Sequence, residues 1–196
     1  MMEGFDEQQL LQRLGQLPSY ELTVLATACA SRQTGNVIWY CEEYGLDRYP
    51  LVSKCIEKLW EAPGENGHGG IWEEALESIM EMMPPDDHVW TVIDALAEDA
   101  FASLCYSVRT KLHATAQEAT WALRRAYEAA DQAAIHLSRK QAHELKEPEI
   151  LAHPIVQREL VRQKRDYELI LQGRVTDVIA AASREQLIQP DEREFF

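Results

Sequence analysis

The stretch that decides the fold runs from His88 to His113, HVWTVIDALAEDAFASLCYSVRTKLH. Its apolar residues Val89, Val92, Ile93, Leu96, Ala100, Leu104, Val108 and Leu112 return every three or four positions. An α-helix turns once in 3.6 residues, so this spacing gathers them on one stripe and predicts a long helix with a buried face. Pro84-Pro85 ends whatever precedes it, and Asp86-Asp87 is suited to open it.

Working outward, the same period recurs. Upstream, a helix is expected from about Asp6 to Leu17, with Leu10, Leu11, Leu14 and Leu17 on one face. Pro18-Ser19 separates it from a second, carrying Leu22, Leu25, Ala26 and Cys29. A turn at Thr34-Gly35-Asn36 leads to a short helix, Val37 to Tyr44, which Gly45 closes as a left-handed cap. Asp47 caps the next, with Pro50 in its first turn and Val52, Cys55, Ile56, Leu59 and Trp60 facing inward. The glycine-rich run Ala62 to Gly70 reads as a loop, followed by a face of Trp72, Leu76, Ile79 and Met83. Downstream, Thr115 caps a second long helix whose Ala119, Ala122, Ala126, Ala129 and Ala133 allow close helix contact. Pro148 and Pro154 interrupt the chain before a helix from Ile155 to about Gln172. Gly173 ends that one, and Thr176 caps a last helix to about Ile188. No segment alternates as a strand would. The expected fold is all-α, a compact array of about seven to eight helices, two of them long. It should form one domain over residues 1–188, with a tail over 189–196.

The bulk composition narrows the function. The charge of −14 lies wholly in residues 1–100, which hold five Lys or Arg against nineteen Asp or Glu; residues 101–196 balance at fourteen each. Such a chain is repelled by nucleic-acid phosphates and anionic lipid, so neither is an expected partner, whereas a basic protein is. The N-terminus lacks the basic and apolar regions of a signal peptide and no apolar run spans a bilayer, so a cytoplasmic location is expected. The four cysteines have no CxxC spacing and read as packed, reduced thiols.

Three constellations bear on chemistry. Glu73, Glu74 and Glu77, with Glu81 one turn on, have the EExxE spacing of helical Mg²⁺-dependent nucleotide pyrophosphohydrolases. The following helix offers Glu98 and Asp99, but the ExxD pair those enzymes need is replaced by Asp94 and Glu98, four apart. A carboxylate-bridged metal site would want Glu-x-x-His on two helices, and no such pair exists, so no metal or cofactor is expected. Cys41 precedes two glutamates that suppress a thiolate, and His68 in the glycine-rich loop has no evident partner. Trp60, Trp72, Trp90 and Trp121 fall on core-facing positions, whereas Trp39-Tyr40 beside Glu42-Glu43 has the make-up of an interface anchor. Arg158, Arg162, Lys164 and Arg165 alternate with Glu159, Asp166 and Glu168, which predicts a salt-bridged outer face.

Five segments together resemble a known family. They are LTVLATACASRQTGNVIWYCEEYG, VSKCIEKLWE, MMPPDDHVWTVIDALAEDAFASL, ATWALRRAYEAADQA and EPEILAHPIVQREL, in that order over roughly residues 5–175. The chain is similar to the YjaG-like family, domain of unknown function 416, and is identified as a divergent member. Where many members have Arg-x-x-Pro-Asn-Tyr, this chain has Ser31-Arg32-Gln33-Thr34-Gly35-Asn36. The resemblance implies a helical fold and transfers no catalytic residue.

The leading expectation is therefore a non-enzymatic acidic binder, most concretely an inhibitor or immunity-type protein that covers a basic toxin or enzyme. Its expected surface is Glu42, Glu43, Glu73, Glu74, Glu77, Asp86 and Asp87, with Trp39 and Tyr40 as anchors. The alternative is a Mg²⁺-dependent hydrolase using Glu73, Glu74, Glu77, Glu98 and Asp99. A homo-oligomer is the third reading.

Overall fold

The computed structural model describes residues 3–61, 63, 69–85, 87, 89–140 and 144–196. Among them there are ten α-helices and no strand. They are α1 (Glu7–Leu14), α2 (Ser19–Arg32), α3 (Thr34–Tyr44), α4 (Tyr49–Glu61), α5 (Gly69–Met80), α6 (Val92–His113), α7 (Ala116–Lys140), α8 (Glu147–Leu151), α9 (Pro154–Leu171) and α10 (Val175–Ala182). The all-α expectation holds, with α6 and α7 as the two long members.

Helix α2 is the central rod, buried at every residue from Leu22 to Arg32. A helix apolar on all sides has to be surrounded. On one side of it α3, α4, α5 and α6 enclose Val37, Leu59, Ile79, Phe101 and Leu104. On another, α1, α7, α9 and α10 enclose Leu14, Leu25, Leu123, Ile170 and Val178. Helices α6 and α7 pack along most of their length. Ala119, Ala122, Ala126, Ala129, Ala130, Ala133 and Ala134 are all fully buried, and the Ser103 hydroxyl donates across to the Ala122 carbonyl at 3.1 Å.

Several boundaries differ from expectation, each for a local reason. Helix α6 begins at Val92 because Thr91 and Asp94 form a capping box. The Thr91 hydroxyl accepts from the Asp94 N–H, and the Asp94 carboxylate accepts from the Thr91 N–H at 2.7 Å. Val89 and Trp90 therefore lie outside the helix, 90% and 36% exposed, rather than on its buried face or in the core. Asp86 and His88 lie outside the described residues, as do Ala62 and residues 64–68 of the glycine-rich loop, His68 included. Thr34-Gly35-Asn36 is the first turn of α3 rather than a free turn, and a single residue, Gln33, separates α2 from α3. Helix α1 stops at Leu14, and α4 starts at Tyr49, two residues past Asp47. Gly45 does close α3 in the left-handed region, at φ 63°. Glu147–Leu151 is a short extra helix in the interrupted segment.

The largest departure is at the C-terminal end. Helix α10 stops at Ala182, and the chain then turns back over the molecule. The Leu187 N–H donates to the Arg32 carbonyl left free at the end of α2, at 2.8 Å, and Leu187 and Ile188 become buried. Residues 189–196, read as a tail, lie along the body. Glu192 accepts from Arg158, the Arg193 guanidinium donates to the Gly35 carbonyl, and Phe196 meets Trp39 edge-on.

Candidate functional site

The residues expected to meet a partner come mostly from α3 and α5. Glu42 and Glu43 are exposed at the end of α3, and Glu73, Glu74 and Glu77 are exposed on α5. None of these five carboxylates makes an ion pair with a described residue. Asp87 is exposed in the connection between α5 and α6, and Asp86 lies outside the described residues. Tyr40 is 3% exposed and packs against Phe101, so it belongs to the core and does not anchor anything at the surface. Trp39 does reach the surface.

Trp39 stands in an open cleft of about 610 Å³ between α3, the start of α6 and α7. Trp90, Ile93, Ile135, His136 and Phe196 line it with Trp39. The Trp90 indole N–H donates to the Pro85 carbonyl, which holds its ring at the rim. The His136 and Phe196 rings are parallel, 5.4 Å apart, and burial holds the imidazole below its ordinary pKa. The cleft is thus largely apolar and aromatic, with Arg139 and Gln132 also in its lining, and an apolar group of a partner suits it.

The carboxylates of the hydrolase reading occupy different settings. Asp99 is buried and paired with Arg125 at 3.0 Å, while Glu73, Glu74 and Glu77 face solvent. Burial outweighs the pull of Arg125 and pushes Asp99 up to about 7. Glu98 lines a separate small cleft with Leu76, Met80 and Arg109. Among the described residues, no three His, Cys, Asp or Glu side chains are grouped to hold a metal ion. All four cysteines are free and buried, and burial pushes Cys55 and Cys105 up to about 12, far from the thiolate chemistry of a nucleophile.

The most heavily built polar feature was not foreseen. Arg32, wholly buried near the end of α2, forms a two-pronged contact with Glu159, with Nε to Oε2 at 3.0 Å and Nη2 to Oε1 at 2.9 Å. Its Nη1 donates to Asp166 at 2.7 Å. Arg165 binds the other Asp166 oxygen and also Glu185, which Arg162 flanks at 3.5 Å. Three arginines and three carboxylates thus make a locally neutral network tying α2, α9 and the segment after α10. This corrects the salt-bridged outer face expected for α9, because Glu159 and Asp166 point inward, two turns apart on one face. The signal was Arg32 itself: a cation ending the apolar run LTVLATACAS has to find buried partners.

The comparisons with known proteins agree with this architecture. The family model described as "Protein of unknown function (DUF416)" matches residues 9–190. The chain belongs to the DUF416 family. A crystal structure of a DUF416 family protein from Shewanella baltica OS155 superposes with a TM-score of 0.73 at 15% identity, covering 92% of this chain and 93% of that one. At that identity the likeness between the two DUF416 proteins concerns the fold alone. No curated protein matches the chain. No described helix is long and apolar enough to cross a membrane.

Proposed function

We propose that this chain is a non-enzymatic protein-binding protein that covers a basic partner, most concretely a toxin or enzyme whose working surface it occludes. One observation carries the reading. Several cations of the second half are held in internal pairs such as Arg158–Glu192 and Arg165–Glu185, whereas Glu43, Glu73, Glu74 and Glu77 are exposed and make no ion pair among the described residues. Exposed Glu42 feels the charge of Arg193 without pairing with it. The exposed acids of α3 and α5 therefore carry part of the chain's excess negative charge. Such a surface speeds encounter with a basic protein and sets its orientation. Trp39 and Trp90 supply the apolar, low-entropy contact from which affinity is drawn.

The test is a pull-down with the tagged full chain at low and high salt, followed by affinity measurement on any stoichiometric basic partner. The reading expects reversal of Glu73, Glu74 and Glu77 to Lys to weaken binding by more than about tenfold. It expects Trp39→Ala to speed dissociation. A partner that ignores both changes, or no partner at either salt, rejects it. A melting shift that needs both Mg²⁺ and a nucleotide, lost in Glu74→Gln, would favour the hydrolase instead.

A further inference from the structure

A further recess lies where the N-terminal segment and α1 meet α9. Its volume is about 430 Å³, within the range of small-molecule sites. Phe5, Leu10, Leu160, Tyr167 and Leu171 make one part of the wall apolar. Phe5 is fixed by parallel stacking on Tyr127, with ring centres 4.9 Å apart. This apolar wall also accounts for Leu171, which is otherwise a large side chain left 61% exposed.

The charges around the recess sort themselves by what they already hold. Asp6 caps α1 by accepting from the Gln9 N–H, and Glu3 is paired with Lys164 at 2.7 Å. Arg13 and Glu168 remain. Both line the recess and neither makes an ion pair or side-chain hydrogen bond among the described residues, although both feel the charge of the neighbouring Lys164 that Glu3 already holds. A recess with an apolar wall and one unpaired charge of each sign is complementary to a small zwitterion with an apolar side group. We propose that it binds a free α-amino acid carrying an aliphatic or aromatic side chain. Arg13 receives the carboxylate, Glu168 receives the ammonium, and Phe5, Leu160 and Tyr167 cover the side chain. A guanidinium fork fits a carboxylate with two parallel N–H bonds, which makes Arg13 the orienting contact.

The experiment uses the full chain, with thermal shift and calorimetry against the free L-amino acids at concentrations up to about 10 mM. At least one of leucine, isoleucine, methionine or phenylalanine should raise the melting temperature and give saturable heat. Its amide, lacking the carboxylate, and its N-acetyl derivative, lacking the ammonium, should each fail. Arg13→Gln and Glu168→Gln should each weaken binding by about tenfold or more while leaving the ligand-free melting point in place, since both side chains are exposed. Silence across the amino acids overturns the proposal, and so does binding that survives in the amide, the N-acetyl derivative or either variant. The result is independent of the α3 and α5 surface, so it neither supports nor weakens the protein-binding reading.

Discussion

Arg32 bears a full charge at a position with no exposed surface, and everything around it answers that charge. Removing one partner of a buried ion cluster strands the others, which typically costs about 3–5 kcal/mol. Arg32→Met is therefore expected to lower the urea midpoint severely, whereas the triple change Arg32→Met, Glu159→Leu, Asp166→Leu should recover most of the loss. A triple variant as unstable as the single one would show that the charges are not the cause. Asp99 gives a prediction in pH. Burial raises its folded pKa from 3.8 to about 7, so between those values the folded state holds a proton that the unfolded chain releases. Stability from this group is complete below 3.8 and is lost as pH rises through about 7. Asp99→Asn should flatten that decline in a melting series across the same window, and an unchanged slope would contradict the assignment.

At the scale of single helices, periodicity was a good guide where a helix has one wet and one dry face, as in α4. It failed where ends are set by particular side chains. Thr91 and Asp94 start α6 later than the spacing of Val89 and Val92 suggested, because a capping box satisfies free N–H groups that periodicity does not register. Thr91→Ala should cost about 1 kcal/mol, read from denaturant unfolding. Asp94→Ala should cost more, since that buried carboxylate also accepts from the Tyr44 hydroxyl. Equal effects would mean that the tyrosine bond contributes nothing. The partners of Arg32 were hidden for another reason: Glu159 and Asp166 lie more than 120 residues downstream, in a run whose alternating signs match an exposed helix equally well. The exposed acids of the candidate surface were legible as residues, but burial removed Tyr40 from its expected role as an anchor beside them.

For the whole molecule, the path of the last fourteen residues matters most, and it was the least legible part, because its contacts are largely with α2, α3, α7 and α9, far away in sequence. Burial pushes Glu185 and Glu192 up, but hydrogen bonds, chiefly from Arg165 and Arg158, and the charges of the surrounding arginines together outweigh it and hold both below the ordinary 4.5. Their contribution is present above 4.5 and is lost as pH falls through the lower folded values. Acid should thus loosen this segment, seen as reduced protection of the Leu187 N–H from exchange relative to the intrinsic rate at each pH. Phe196→Ala should cost about 1 kcal/mol, half of what full burial of a ring is worth, measured by thermal unfolding. No change would show that the ring does not hold the segment down. The seven fully buried alanines of α7 have a different consequence. They set how closely α7 approaches the helices packed on it by single methyl groups, so the interior has no slack there. In a saturation mutagenesis screen, positions 119, 122, 126, 129, 130, 133 and 134 should stand out as a ladder that tolerates little beyond glycine and serine. The fold's history of substitution would then be written on its outer faces, while this seam stays nearly silent.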